Sequence, residues 1–426
     1  MALLSGADAC LAFEDGRVFY GHAFGAWNPD QHPLDVNEGG DRHAFVQGEV
    51  VFNTSMAGYQ EIATDPSYRG QMVVLTYPQI GNYGIQGEAS ESTCPWLTAL
   101  IVRDLARAPN HWLMTEDLSH FLSEAGIPGI HGVDTRALTR HLRAHGTLRA
   151  VLGRLDGDQP TAEQVGRLVS LARAVPALSD QNLVADVSNP AGAYAPTERW
   201  VETVARYSST RIAVIDCGIK HNIARSLTAR GAETRFLSWT SGIDEVMATE
   251  AQGVIFSNGP GDPARMHQVA QLASQLLDRE VPLLGICLGH QVLGLAAGGS
   301  TSRLGYGHHG GNHPVQDVTT GRVHITTQNH EFQVDRGSIP DSSGFGVSMV
   351  HLNDSSVEGL AHRSLPAFSV QFHPEGCPGP QDNQYIFERF LDMVDRPVSG
   401  WEALERSPAS AAQADLSEPP HGLIQA

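Results

Sequence analysis

Between residues 211 and 297 the sequence alternates short apolar runs with amphipathic ones, and few folds accommodate that rhythm. It predicts strands over 211–216, 233–237, 253–257 and 282–286, and helices over 222–229, 243–249, 263–278 and 290–297. Strands separated by helices need right-handed crossovers, which makes this a mostly parallel, open α/β sheet with helices on its faces. Such sheets carry their chemistry at the carboxyl ends of the strands. After residue 302 β-type runs return at 315–318, 322–326, 345–349 and 368–372, and a helix over 384–394 closes the unit.

The first half reads differently. Short β-type runs at 11–13, 18–20, 50–53 and 72–75, broken by Gly, Asn and Pro turns, are joined by helical stretches at 96–105 and 136–144. These predict an N-terminal α+β domain over 1–155, followed by a connecting region over 156–210 that contains a helix at 161–174. The α/β domain then spans 211–398, and the small, polar run over 399–426 reads as a flexible tail.

With 426 residues, 41% of them hydrophobic, the chain can build two or three real cores. A formal charge of −19 argues against a nucleic-acid or anionic-membrane surface, which requires clustered positive charge. Lys220 is the sole lysine, so there is no P-loop, and a Schiff-base or catalytic lysine could only be Lys220. Any ATP chemistry therefore falls to another chain. Five cysteines, odd in number and in no C-x-x-C pair, fit a reducing compartment. The N-terminus has no basic n-region and no apolar stretch reaches spanning length, so a cytoplasmic location is expected.

Three motifs carry chemistry. Gly285-Ile286-Cys287-Leu288-Gly289 has the spacing of a nucleophile elbow, in which a tight strand-to-helix turn lifts the sulfur above the sheet. The helix N-terminus behind it favours a thiolate and offers the Leu288 N–H to an oxyanion. A buried structural thiol fits the same five residues equally well. His373-Pro374-Glu375 ends an apolar run, and residues two apart in an extended chain face the same way. Glu375 can then orient one imidazole nitrogen while the other faces a nucleophile, although such a pair alone is more often a strand-end histidine beside an exposed acid. Ser257-Asn258-Gly259-Pro260-Gly261-Asp262-Pro263 lets the main chain approach a ligand, and reads as readily as a turn capped by Asp262.

Together these runs resemble the triad (class I) glutamine amidotransferases. The first domain narrows the resemblance through Gly58-Tyr59-Gln60-Glu61, Thr64-Asp65-Pro66-Ser67-Tyr68 and Gly132-Val133-Asp134-Thr135-Arg136. These are similar to the small, glutamine-hydrolysing subunit of carbamoyl-phosphate synthetases, and the similarity runs from about Ala9 to Val394. It implies glutamine hydrolysis, with ammonia passed to a large subunit that binds ATP, bicarbonate and Mg2+ and makes carbamoyl phosphate for arginine and pyrimidine synthesis. No cofactor is implied in this chain. Cys287 would be the nucleophile, His373 the base and Glu375 its orienter, with Leu288 and Gly259 N–H groups holding the oxyanion. Glutamine contacts map to Ser67, Gly259, Gly261, Leu288, Gln291, Asn329, Glu331 and Phe332.

The sequence departs from the family pattern in three places. Glu331 stands where the family has glycine, so a Cβ and a carboxylate crowd a substrate contact. A lysine expected near Gly305 is missing, and the tail after Ser399 has no family counterpart. His308, His309 and His313 invite a zinc reading. The Gly-rich run around them is itself a family feature, however, and no Cys or carboxylate has a matching spacing, so no metal is expected. Lys220 reads as structural or interfacial. Two alternatives stay open: a docking or regulatory subunit without activity, and an amidotransferase serving another synthase.

Overall fold

The computed structural model describes residues 6–27, 45–155, 161–189 and 206–405. The first domain is a closed barrel of seven strands, in spatial order Ala9–Phe13, Val18–Gly25, Pro128–His131, Ala99–Ile101, Gln71–Leu75, Phe45–Asn53 and Leu148–Arg154. Its interior is filled by fully buried apolar side chains such as Leu11, Val50, Met72, Ile130 and Leu152. The helix Thr135–His145 begins where Asp134 accepts the Ala137 N–H at 2.9 Å, and Leu138 and Leu142 pack into the barrel core.

Residues 96–105 form no helix. Ala99–Ile101 is a strand parallel to Gln71–Leu75 and Pro128–His131, and Asp104–Leu105 is a second short strand. A short, unbroken apolar run suits a strand buried on both faces as well as a helix, and barrel pairing decides between them. The helix expected in the connecting region is present as Ala162–Ala174, with a capping box from Thr161 and Gln164. It lies on the barrel, where Leu168, Val169 and Ala172 pack against Cys10, Ala12 and Val151. The Asn189-to-Pro196 part of the connecting region falls almost wholly outside the described residues.

The second domain is one nine-stranded sheet with two halves. Strands Glu233–Ser238, Arg211–Asp216, Gly253–Phe256, Leu283–Ile286 and Ala367–Val370 run parallel, as the alternation requires. Val357–His362, Phe345–His351, Thr301–Asp317 and Val323–Val334 continue it antiparallel. Apolar cores on both faces cover the parallel half. The residues after 399 are not all a loose tail: Gly400–Glu405 is a helix that buries Ala403 and Leu404 against the helix Tyr385–Asp395 and its neighbours. The rest of that run lies outside the described residues. Among the described residues no helix is long and apolar enough to cross a membrane.

Candidate active site

The strand Leu283–Ile286 delivers Cys287 at the carboxyl edge of the sheet, at a positive φ of 54° that residues with a Cβ rarely adopt. The turn depends on its glycines, since a Cβ on Gly285 would strike the Gly289 carbonyl and one on Gly289 that of Phe256. The Cys287 N–H donates to the Val370 carbonyl at 3.0 Å, which ties the elbow to the neighbouring strand. Its thiol, on a residue only 2% exposed, donates to the Asn329 carbonyl at 3.5 Å. Leu288 opens the helix Leu288–Ala296, so its N–H has no partner within the helix and points toward any charge forming at Cys287.

His373 lies just beyond the strand Ala367–Val370, where its N–H donates to the Thr327 carbonyl at 2.9 Å. Its Nδ1 is 2.6 Å from Glu375 Oε1, so the two-residue spacing brings base and acid together as the sequence predicts. Nε2 has no hydrogen-bond partner among the described residues, and the Cys287 sulfur acts on the ring electrostatically. Burial works against a charged imidazole here, but Glu375 first and Cys287 second outweigh it and push His373 up to about 10.

The acid is held by a cation that the sequence reading left outside the chemistry. Lys220 Nζ lies 3.1 Å from Glu375 Oε1 and donates to the Gly376 carbonyl at 2.7 Å, and the residue is 1% exposed. Burial would raise the Glu375 carboxyl, but Lys220 and then His373 bring it down to about 2. Glu375 in turn, with Glu91, keeps the buried ammonium protonated against its own desolvation. Glu91 comes from the barrel domain, pairs with Arg225 at 3.0 Å and is pushed up to about 7 by burial. The only signal for this arrangement in the sequence is that a chain with one lysine places it in the run Asp216-Cys217-Gly218-Ile219-Lys220.

A small pocket opens above Cys287. Ser67, Gly259, Gly261, Gln291, Asn329, Glu331 and Phe332 all line it, whereas Leu288, His373 and Glu375 are buried and not among its lining residues. Ser67 does reach it from the barrel domain: Asp65 accepts the Ser67 N–H at 2.9 Å, and the Ser67 hydroxyl accepts from Asn258 Nδ2 at 3.0 Å. The other Asp65 oxygen accepts from Asn329 Nδ2 at 2.9 Å, so one barrel carboxylate positions a pocket residue from each domain. Gly259 passes so close to the Cys217 carbonyl that a Cβ would collide with it. Asp65, Asn258 and His309 were not singled out from sequence as contacts; each acts through a partner distant in the chain.

Glu331 occupies an ordinary position in the strand Val323–Val334, with no positive φ to demand glycine. Its carboxylate is engaged by His309 Nε2 at 2.8 Å, Arg303 at 3.1 Å and the Thr147 hydroxyl at 3.0 Å. Burial opposes the charge, but His309 and then Arg303 hold the carboxyl below its ordinary value. Arg303 also grips Glu49 of the barrel. Near the missing lysine, the Gly305 carbonyl accepts the Thr147 N–H at 3.0 Å, so main chain links the two domains there.

Comparison with known proteins matches residues 213–393 to the family model "Glutamine amidotransferase class-I" and residues 11–152 to "Carbamoyl-phosphate synthase small chain, CPSase domain". The carbamoyl phosphate synthase small chain of Symbiobacterium thermophilum is 45% identical over 389 residues, covering 90% of this chain and 98% of that relative. That of Solidesulfovibrio magneticus is 43% identical over 393 residues, covering 91% and 98%. That of Aquifex aeolicus is 40% identical over 394 residues, covering 91% and 98%.

Proposed function

The chain belongs to the carbamoyl phosphate synthase small-chain family, as a glutamine-hydrolysing synthase subunit, and from that premise we propose that Cys287, His373 and Glu375 carry the hydrolysis. Glutamine enters the pocket of Ser67, Gly259, Gly261, Gln291, Asn329, Glu331 and Phe332. The Cys287 thiol gives its proton to His373 Nε2, and the sulfur attacks the amide carbon. The oxygen that becomes negative is held by the Leu288 and Gly259 N–H groups. His373 passes its proton to the departing ammonia, leaving a γ-glutamyl thioester that water, activated by the same imidazole, hydrolyses to glutamate. Glu375 keeps the ring oriented, and Lys220 keeps Glu375 ionised and fixed as a positioning residue.

Ammonia then passes to a large subunit, the site of ATP, bicarbonate and Mg2+ and of carbamoyl phosphate formation for arginine and pyrimidine synthesis. The absence of a P-loop fits that division of labour. Five free cysteines support a cytoplasmic setting. The observation that carries the proposal is the 2.6 Å His373–Glu375 contact beneath a pocket floored by Cys287. It is tested by ammonia release from glutamine, with the chain alone and with a carbamoyl phosphate synthase large subunit. Release that the partner accelerates supports the coupled subunit; equal turnover in both conditions argues against coupling, and no release from folded protein returns the chain to a docking role.

A further inference from the structure

His330, which lines the pocket, also belongs to a second buried cluster, brought together by three strands of the antiparallel half, that has no role in the proposed hydrolysis. His308 comes from Thr301–Asp317, His330 from Val323–Val334 and Glu358 from Val357–His362. One ligand atom from each lies within 4.8 Å of the other two. Glu358 Oε1 is 3.8 Å from His308 Nδ1 and 4.0 Å from His330 Nε2. Among the described residues none of these three atoms has a hydrogen-bond partner, and their side chains are 0–7% exposed. Three unsatisfied acceptor or donor atoms converging at this depth are costly unless something fills the space between them.

The outer contacts are arranged as a metal site arranges them. The far nitrogen of His308, Nε2, lies 2.7 Å from Asp354 Oδ2, and that of His330, Nδ1, lies 2.7 Å from the Phe332 carbonyl. A ring whose outer N–H donates to a carboxylate or carbonyl has its inner nitrogen free as a lone pair. The second Glu358 oxygen accepts from Gln328 Nε2 at 2.7 Å, which fixes the carboxylate with Oε1 turned inward. Asp354 is itself held by the Ser356 N–H and hydroxyl.

We propose that His308 Nδ1, His330 Nε2 and Glu358 Oε1 bind one divalent transition-metal ion of the zinc class. Two imidazoles and one carboxylate are a donor set that zinc accepts, with a fourth position left for water. Ligands at bonds of about 2.1 Å and tetrahedral angles sit about 3.4 Å apart, so binding draws these atoms in by a few tenths of an ångström. The neighbouring trio His308, His313 and His351 is the poorer site, because His313 Nδ1 and His351 Nε2 lie 3.0 Å apart and share a hydrogen bond. A ligating imidazole must be deprotonated, so metal affinity rises with pH.

The test is titration of the full chain, stripped by a chelator, with Zn2+ by calorimetry and with Co2+ by absorption spectroscopy. One equivalent should bind, and the cobalt form should show the visible bands of a four-coordinate site without thiolate charge transfer, which excludes Cys287 as a ligand. Glu358→Gln and His308→Asn should each weaken binding at least about tenfold, and Asp354→Asn by about ten- to a hundredfold. Because the wild-type spectrum and the Asp354→Asn variant leave the buried ligands in place, the proposal stays testable if a ligand variant fails to fold. Binding of several weak equivalents, a thiolate spectrum, or affinity unchanged in all three variants would overturn it.

Discussion

His373 with Glu375, and His308 with His330 and Glu358, are both histidine–carboxylate clusters buried in the same sheet, but among the described residues only the first carboxylate has a lysine or arginine beside it. Lys220 stands 3.1 Å from Glu375 and, with His373, brings its carboxyl down to about 2. Glu358 faces imidazoles at 3.8 and 4.0 Å, and burial raises its carboxyl. Burial pushes a carboxyl up, and at Glu375 Lys220 together with His373 outweighs it. The first cluster therefore keeps a charged carboxylate against the imidazole, as the proposed hydrolysis requires. The charge of the second depends on what it holds, which suits a site that binds rather than reacts.

The contrast can be broken at its strongest point first. Cys287→Ser should lower glutamine hydrolysis at least about a thousandfold, measured as ammonia release, with the melting temperature nearly unchanged. Lys220→Met removes one of the two groups that offset the buried Glu375 charge, leaving His373 alone, and should cost about 3–5 kcal/mol in urea unfolding. The sign with pH follows from the depressed carboxyl: its stabilisation is complete above the ordinary 4.5 and is lost as pH falls through about 2. In Lys220→Met that acid loss should move to higher pH.

Glu375→Gln keeps the shape but removes the charge that orients the imidazole, and kcat should fall about a hundredfold. His373 is raised in the folded protein, so the stability it confers is complete below 6.5 and lost as pH rises through about 10. Without the Glu375 charge, that alkaline loss should be smaller and complete at lower pH. The same substitution at Glu358 should leave kcat within about tenfold, since it touches no reacting atom; an equal fall in both would erase the distinction between the clusters. The smallest effect belongs to Glu331→Gly, which removes a carboxylate already occupied by His309, Arg303 and Thr147. Because those partners are protein groups rather than substrate, KM for glutamine should change by less than about tenfold, under about 1.4 kcal/mol.

What the sequence made legible was local. A Gly-x-Cys-x-Gly elbow and a His-x-Glu strand end set their own geometry within a few residues, so the neighbourhoods of Cys287 and of His373 with Glu375 could be read directly. The alternation after residue 211 likewise fixed the parallel half of the sheet. What escaped was assembled across the chain. Lys220 meets Glu375 across some 155 positions, Asp65 meets Asn329 across 264, and His308, His330 and Glu358 come from three strands. The histidine run has no carboxylate at ligand spacing in sequence, whereas Glu358 reaches it through the sheet. Residues 96–105 form strands where a helix is expected, because a short apolar run has no period long enough to separate a buried strand from a helix. The helix at Gly400–Glu405 was hidden by the polar text that follows it.

The central claim is that one of five cysteines is the nucleophile and that it sits in the glutamine pocket. The most direct measurement is labelling of the folded chain with a chloromethyl ketone analogue of glutamine, followed by peptide mapping. The account predicts a single label on Cys287, in step with loss of ammonia release and blocked by excess glutamine. A label on Cys10, Cys94, Cys217 or Cys377, or labelling of Cys287 that glutamine does not block, would contradict it.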